Sequence, residues 1–131
     1  MAGAYLVSAS AAFGDEASVR VELNKLEAQE GACQAFLVIE NQTETPFDAL
    51  VMDLVMFDPD GVIGRRLAVN IAPLRAKRTS VKVFAVQGLA CEQIGRLLVN
   101  DVLECRAGEA EIDTCFDLLE TASRTSVDMI N

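Results

Sequence analysis

Four cysteines, Cys33, Cys91, Cys105 and Cys115, stand in a 131-residue chain that has no histidine, no tryptophan and no CxxC pair. Metal sites gather their ligands in close pairs, whereas 57, 13 and 9 residues separate these cysteines. The spacing therefore predicts disulfides. Four cysteines allow three pairings; proximity in the chain favours Cys105 with Cys115, which leaves Cys33 with Cys91. On the chain-entropy account, loops of these lengths contribute about 3 and about 4 kcal/mol. A single domain of this size buries roughly two-thirds of the surface its unfolded chain exposes, so the cross-links staple a fold that nearly stands alone. Such usage is expected outside the cytoplasm, in a periplasmic or secreted protein.

The residue pattern has a period of two. Val19, Val21 and Leu23 alternate with Arg20, Glu22 and Asn24, as in a strand with one wet face. Cys33 to Glu40 is nearly all apolar and reads as a strand covered on both faces. A strand from Phe47 or Ala49 to Phe57 runs into Asp58-Pro59-Asp60-Gly61, a strong chain reversal. Leu67, Val69 and Ile71 mark the returning strand, Pro73 ends it, and Thr79 to Val86 forms the next. Glu92 to Gly95 suggests a helical turn. Leu97 to Cys105 is strand-like, with Asn100 and Asp101 interrupting it as a bulge. The tail from Cys115 leaves helix or irregular strand open, and Ser123 to Ser126 is expected to turn into solvent.

Six or seven strands with frequent turns and no convincing amphipathic helix predict an all-β fold, an antiparallel immunoglobulin-like β-sandwich, with a small closed barrel as the alternative. Residues 18–131 are expected to form one domain. Ala4 to Phe13 resembles the apolar end and small-residue cleavage site of a signal peptide, without a basic stretch before it. Residues 1–17 are therefore read as a signal-peptide remnant or a flexible lead outside the core. The longest strictly apolar run, Ala35 to Ile39, is far short of a membrane span.

The net charge of −9 argues against nucleic acid as a partner. Its distribution is uneven. Six cations and no acid lie between Gly61 and Cys91, while seven acids and only Arg106 lie between Asp101 and Glu120. Such asymmetry can orient a protein partner. Arg65, Arg66, Arg75, Lys77 and Arg78 are the candidate contact residues, and an exposed sheet edge that accepts a partner strand is a second candidate.

Catalysis has little to draw on. Without histidine the serine and cysteine triads cannot form. Ser80 and Lys82 share a strand face, which is more readily an exposed edge than a catalytic dyad. Asp53, Asp58 and Asp60 invite a calcium reading, but Asp-Pro-Asp-Gly lacks the further ligands of a calcium loop. Neither phosphate-binding glycine motif occurs. No cofactor is expected. Asn41-Gln42-Thr43 matches a glycosylation sequon.

Phe36-Leu37-Val38-Ile39-Glu40-Asn41-Gln42-Thr43, followed by Leu50 to Phe57 and Asp58-Pro59-Asp60-Gly61, resembles the small immunoglobulin-like domains of bacterial envelope proteins of the FxLYD kind. Taken with Gly31-Ala32-Cys33, Arg65-Arg66-Leu67, Ala72-Pro73-Leu74, Thr79-Ser80-Val81-Lys82 and Gly88-Leu89-Ala90-Cys91, the chain from about residue 18 to 116 also resembles short exported alphaproteobacterial proteins that carry a Tat-signal label. That resemblance implies export and a β-rich fold, and it implies no reaction. The functional expectation is a non-catalytic envelope domain that binds a protein, as an accessory subunit of a membrane complex. A periplasmic carrier of a small ligand or metal is the alternative.

Overall fold

The computed structural model describes residues 17–131; the expectation of a lead segment falls, but for Ala17, outside the described residues. Nine strands follow in order: β1 (Val19–Gln29), β2 (Ala32–Asn41), β3 (Ala49–Phe57), β4 (Ile63–Asn70), β5 (Arg78–Gln87), β6 (Arg96–Ala107), β7 (Ala110–Glu111), β8 (Leu119–Ser123) and β9 (Asp128–Ile130). One sheet has the order β5-β2-β1-β8 and the other β4-β3-β6-β7, with β9 also on β6. This is the disulfide-stapled β-sandwich that the cysteines and the two-residue period predict.

Alternation builds the core. Val19, Val21 and Leu23 of β1 and Cys33, Ala35, Leu37 and Ile39 of β2 turn inward, against Leu50, Met52, Leu54 and Met56 of β3 and Leu97 and Val99 of β6. Each large aliphatic side chain so buried contributes about 2 kcal/mol. At the tight reversal after β3, Gly61 N–H donates to Asp58 O at 2.9 Å, and Asp58 Oδ1 accepts from Asp60 N–H and Val62 N–H, both at 2.9 Å. Gly61 takes φ +87°, which a side chain would resist. The aspartates of the calcium reading therefore have separate duties: Asp58 organises this turn, and Asp53 lies elsewhere, on β3.

Both expected disulfides are present, Cys33–Cys91 and Cys105–Cys115. The first joins β2 to the 3-10 turn Cys91–Gln93 after β5; the second joins β6 to the 3-10 turn Cys115–Leu118 that starts the tail. The register of β6 against β3 shifts twice: Asn100 is the extra residue between the Asp53↔Asp101 and Leu54↔Val99 pairs, which places the bulge where the sequence suggests it.

The tail departs from expectation. Rather than entering solvent at Ser123, it runs parallel to β1 as β8, crosses between the sheets and runs parallel to β6 as β9. The crossing is compact because hydroxyls satisfy its backbone: Ser123 Oγ accepts from Thr125 N–H at 3.0 Å and donates to Val127 O at 2.6 Å, while Thr125 Oγ1 accepts from Val127 N–H at 2.9 Å. Val127 and Met129 are both buried, and their two-residue spacing was the available signal for a final strand.

Candidate protein-interaction surface

Strand order turns the uneven charge of the sequence into two opposed sides. The cationic segment forms β4 and β5, which end their respective sheets on one side; the acidic segment forms most of β6, all of β7 and the start of the tail, at the other end. The five arginine and lysine candidates lie on the first side, but they do not form one free patch.

Arg65 and Arg66 are engaged within the protein. Arg65, on β4, reaches across to β5 and donates from Nη2 to Gln87 O at 2.7 Å, with its Nε enclosed and without a partner among the described residues. It lies so near Gly88 that a Cβ there would stand 2.6 Å from the guanidinium. Gly88 also takes φ +80°, so glycine serves two needs at this position. Arg66 makes a two-pronged pair with Asp53, Nε to Oδ1 and Nη2 to Oδ2, both at 2.8 Å, and Asn100 Nδ2 adds a third donor at 3.0 Å. The β6 bulge is what aims Asn100 at this carboxylate. Asp53 is buried on the outer face of its sheet, and the hydrogen bonds from Arg66 and then Asn100 hold its carboxyl down at about 2. The pairing correspondingly raises Arg66.

Arg75, Lys77 and Arg78 follow in the connection to β5 and at its first residue, and all three side chains are exposed. Lys77 takes φ +60°, a left-handed conformation that is uncommon for a residue with a Cβ, and its Nζ lies 3.6 Å from Glu44 Oε2. Among the described residues neither Arg75, Arg78 nor Lys82 has a carboxylate in ion-pair range. A shallow depression of about 260 Å³ opens beside them, lined by Glu40, Asn41, Gln42, Lys77, Arg78 and Thr79.

Asn41 anchors this corner. Its Nδ2 donates to Thr45 O at 2.8 Å and to Arg75 O at 3.1 Å, and its Oδ1 accepts from Thr43 N–H at 3.1 Å and Thr43 Oγ1 at 2.7 Å. At 1 % exposure the amide is closed to a glycosyltransferase in the folded protein, so the sequon is a turn motif here. The physical duty of this Asn and Thr at the end of β2 is to hold the loop that carries Arg75. Asn41 is the positioning residue that sequence reasoning missed: a sequon draws the eye to carbohydrate, and only the buried amide reveals the other role.

Ser80 and Lys82 do share a face of β5, but it is the face turned toward the other sheet, with both side chains half-buried at its margin.

No protein-family model matches this sequence, and no curated protein matches it. Among solved structures, IrmA from Escherichia coli superposes with a TM-score of 0.59 at 10% sequence identity, covering 81% of this chain and 92% of that one. The likeness is one of fold.

Proposed function

We propose that this chain is a non-catalytic protein-interaction domain of the cell envelope, in a periplasmic or secreted location, and that its cationic side meets the partner. The observation that carries this reading is the segregation of charge: Arg75 and Arg78 stand exposed, without ion pairs among the described residues, on a protein whose net charge is −9. Exposed cations set against an acidic body favour an acidic partner patch and speed its encounter. The two disulfides support an oxidising compartment. Service as an accessory subunit of a membrane complex fits a domain with no histidine and an interior filled by aliphatic side chains. The test is charge reversal at Arg75→Glu with Arg78→Glu. The doubly reversed protein should fold as the parent does and lose the proteins that co-purify with the parent from native envelope; an unchanged set of co-purifying proteins refutes the reading.

A further inference from the structure

We propose that the partner docks by adding an extended strand to the open edge of β5, and that this strand carries acids on one face and apolar residues on the other. The proposal rests on the protein-interaction reading and specifies its contact.

The hydrogen-bonding phase of β5 is fixed by one bond. Gly88 N–H donates to Gly31 O at 2.9 Å, and the β2–β5 register runs unbroken from Ala32↔Gln87 to Asn41↔Arg78. In an antiparallel ladder alternate residues turn both main-chain groups the same way. Arg78, Ser80, Lys82, Phe84 and Val86 therefore bond to β2, whereas Thr79, Val81, Val83, Ala85 and Gln87 turn N–H and C=O to the outer edge, with which no strand of the described residues pairs. At Gln87 the carbonyl is already taken by Arg65 at 2.7 Å. That clasp marks one end of a landing strip from Thr79 to Ala85, and the corner held by Asn41 marks the other.

Side chains give the strip two chemistries. On the outward face Val81 is 63% and Val83 39% exposed, and their neighbours across β2 are Val38 and Phe36. Exposed β-branched residues on an unpaired edge are what an added strand packs against. The other face presents Arg78 and Lys82, four residues apart, with no acid in β5 to answer them. A lysine turned inward at an edge discourages pairing with apolar or basic strands, and it leaves a strand with a carboxylate at that position favoured. Pairing with the β5 edge of a second copy is disfavoured because that strand brings only cations. The chemistry recognised is thus an extended acidic segment with apolar residues opposite Val81 and Val83 and acids opposite Arg78 and Lys82.

The test uses the intact oxidised protein and a short synthetic peptide of alternating valine and threonine with two glutamates set to meet Arg78 and Lys82. Amide exchange followed by NMR should slow at Val81, Val83 and Ala85 on peptide addition. Ser80, Lys82 and Phe84, already in the ladder, should change little. Val83→Pro removes an edge N–H without touching the β2 ladder, and should weaken the peptide about tenfold. Should that variant lose its fold, Arg78→Glu with Lys82→Glu serves instead: it should release the glutamate peptide and take up the peptide with lysines in its place. Peptide addition that leaves the edge amides unprotected, a folded Val83→Pro protein that binds as the parent does, or self-association abolished by Val83→Pro would each overturn the proposal. If Val83→Pro keeps the native co-purifying proteins while Arg75→Glu with Arg78→Glu loses them, the edge is wrong and the interaction reading stands; if neither loses them, both are wrong.

Discussion

The two sides of this sandwich are finished differently. On the acidic side the tail adds β8 to β1 and β9 to β6, Cys105–Cys115 ties its beginning to β6, and Arg124 Nε reaches back to Glu22 Oε2 at 3.1 Å. Short added strands cover Val19 to Leu23 of β1 and Arg96 to Leu98 of β6 there, and the side-chain ion pair fastens the crossing between them. The cationic side has Cys33–Cys91 with the Arg65 clasp at one end of β5 and the Asn41 corner at the other. Between them no strand of the described residues pairs with the outer edge of β5. Short strands, bulges or covering loops are the usual means of protecting a sheet edge; β4 is an end strand on this side as well, and β5 is set apart from it by the exposed Val81 and Val83 on one face and Arg78 and Lys82 on the other.

Cross-links give the largest way to probe this contrast. Cys33 and Cys91 are separated by 58 positions and Cys105 and Cys115 by 10. Replacing the first pair with alanine should cost about 4 kcal/mol and replacing the second about 3 kcal/mol, measured as unfolding free energies in urea. A reversed order would mean that the tail depends on its cross-link beyond what loop length predicts. Next in size is Asn41→Ala. Removing a buried amide that serves four partners strands main-chain groups of the corner, and should cost about 2 kcal/mol. It should also loosen the loop bearing Arg75, visible as faster amide exchange at Thr43 and Lys77.

Much of this arrangement is legible in the chain, for identifiable reasons. The cysteine spacing was enough to favour the two pairings that form, and alternation was enough for β1, β4 and β5, because a half-buried strand imposes its period directly on residue choice; β2, read from its apolar run as covered on both faces, is buried on one face and half-buried on the other. Asn100 and Asp101 gave away the bulge. The tail was harder: a hydroxyl-rich crossing such as Ser123 to Ser126 has the composition of a solvent loop, and its return to the second sheet through the buried Val127 and Met129 depends on strands that assemble from distant residues. The same limit explains the arginines. Arg65 and Arg66 look alike in sequence beside Arg75 and Arg78, yet adjacent strand residues point to opposite faces, so one finds a carbonyl on β5 and the other a carboxylate on β3.

A smaller and opposite effect is expected at Lys77. Its φ of +60° carries a penalty of about 1 kcal/mol for a residue with a side chain, and glycine does not bear it. Lys77→Gly should therefore raise stability by less than about 1 kcal/mol, because the greater freedom of glycine in the unfolded chain offsets part of the relief, as does the loss of the exposed Lys77–Glu44 pair. A loss of stability would show that this ion pair or the loop packing outweighs the backbone.

The subtlest difference between the sides is in their response to acid. Glu22, beside the tail, and Asp53, beside β4, both have carboxyls held below their ordinary values. Glu22 is lowered first by its hydrogen bond from Asn24, with Arg124 and Arg20 adding to it, and Asp53 is lowered by Arg66 and Asn100. A carboxyl with a depressed folded-state pKa stabilises the fold above its unfolded pKa, and that contribution is lost as pH falls toward the folded value. For Glu22 the loss should begin near its ordinary 4.5; for Asp53 it should begin near 3.8 and continue to about 2. Urea midpoints of the parent and of Glu22→Gln should therefore begin to converge at a higher pH than those of the parent and Asp53→Asn. If the Asp53→Asn difference instead stays constant from neutral pH to about 2, the Arg66 pair is not what holds this carboxylate ionised.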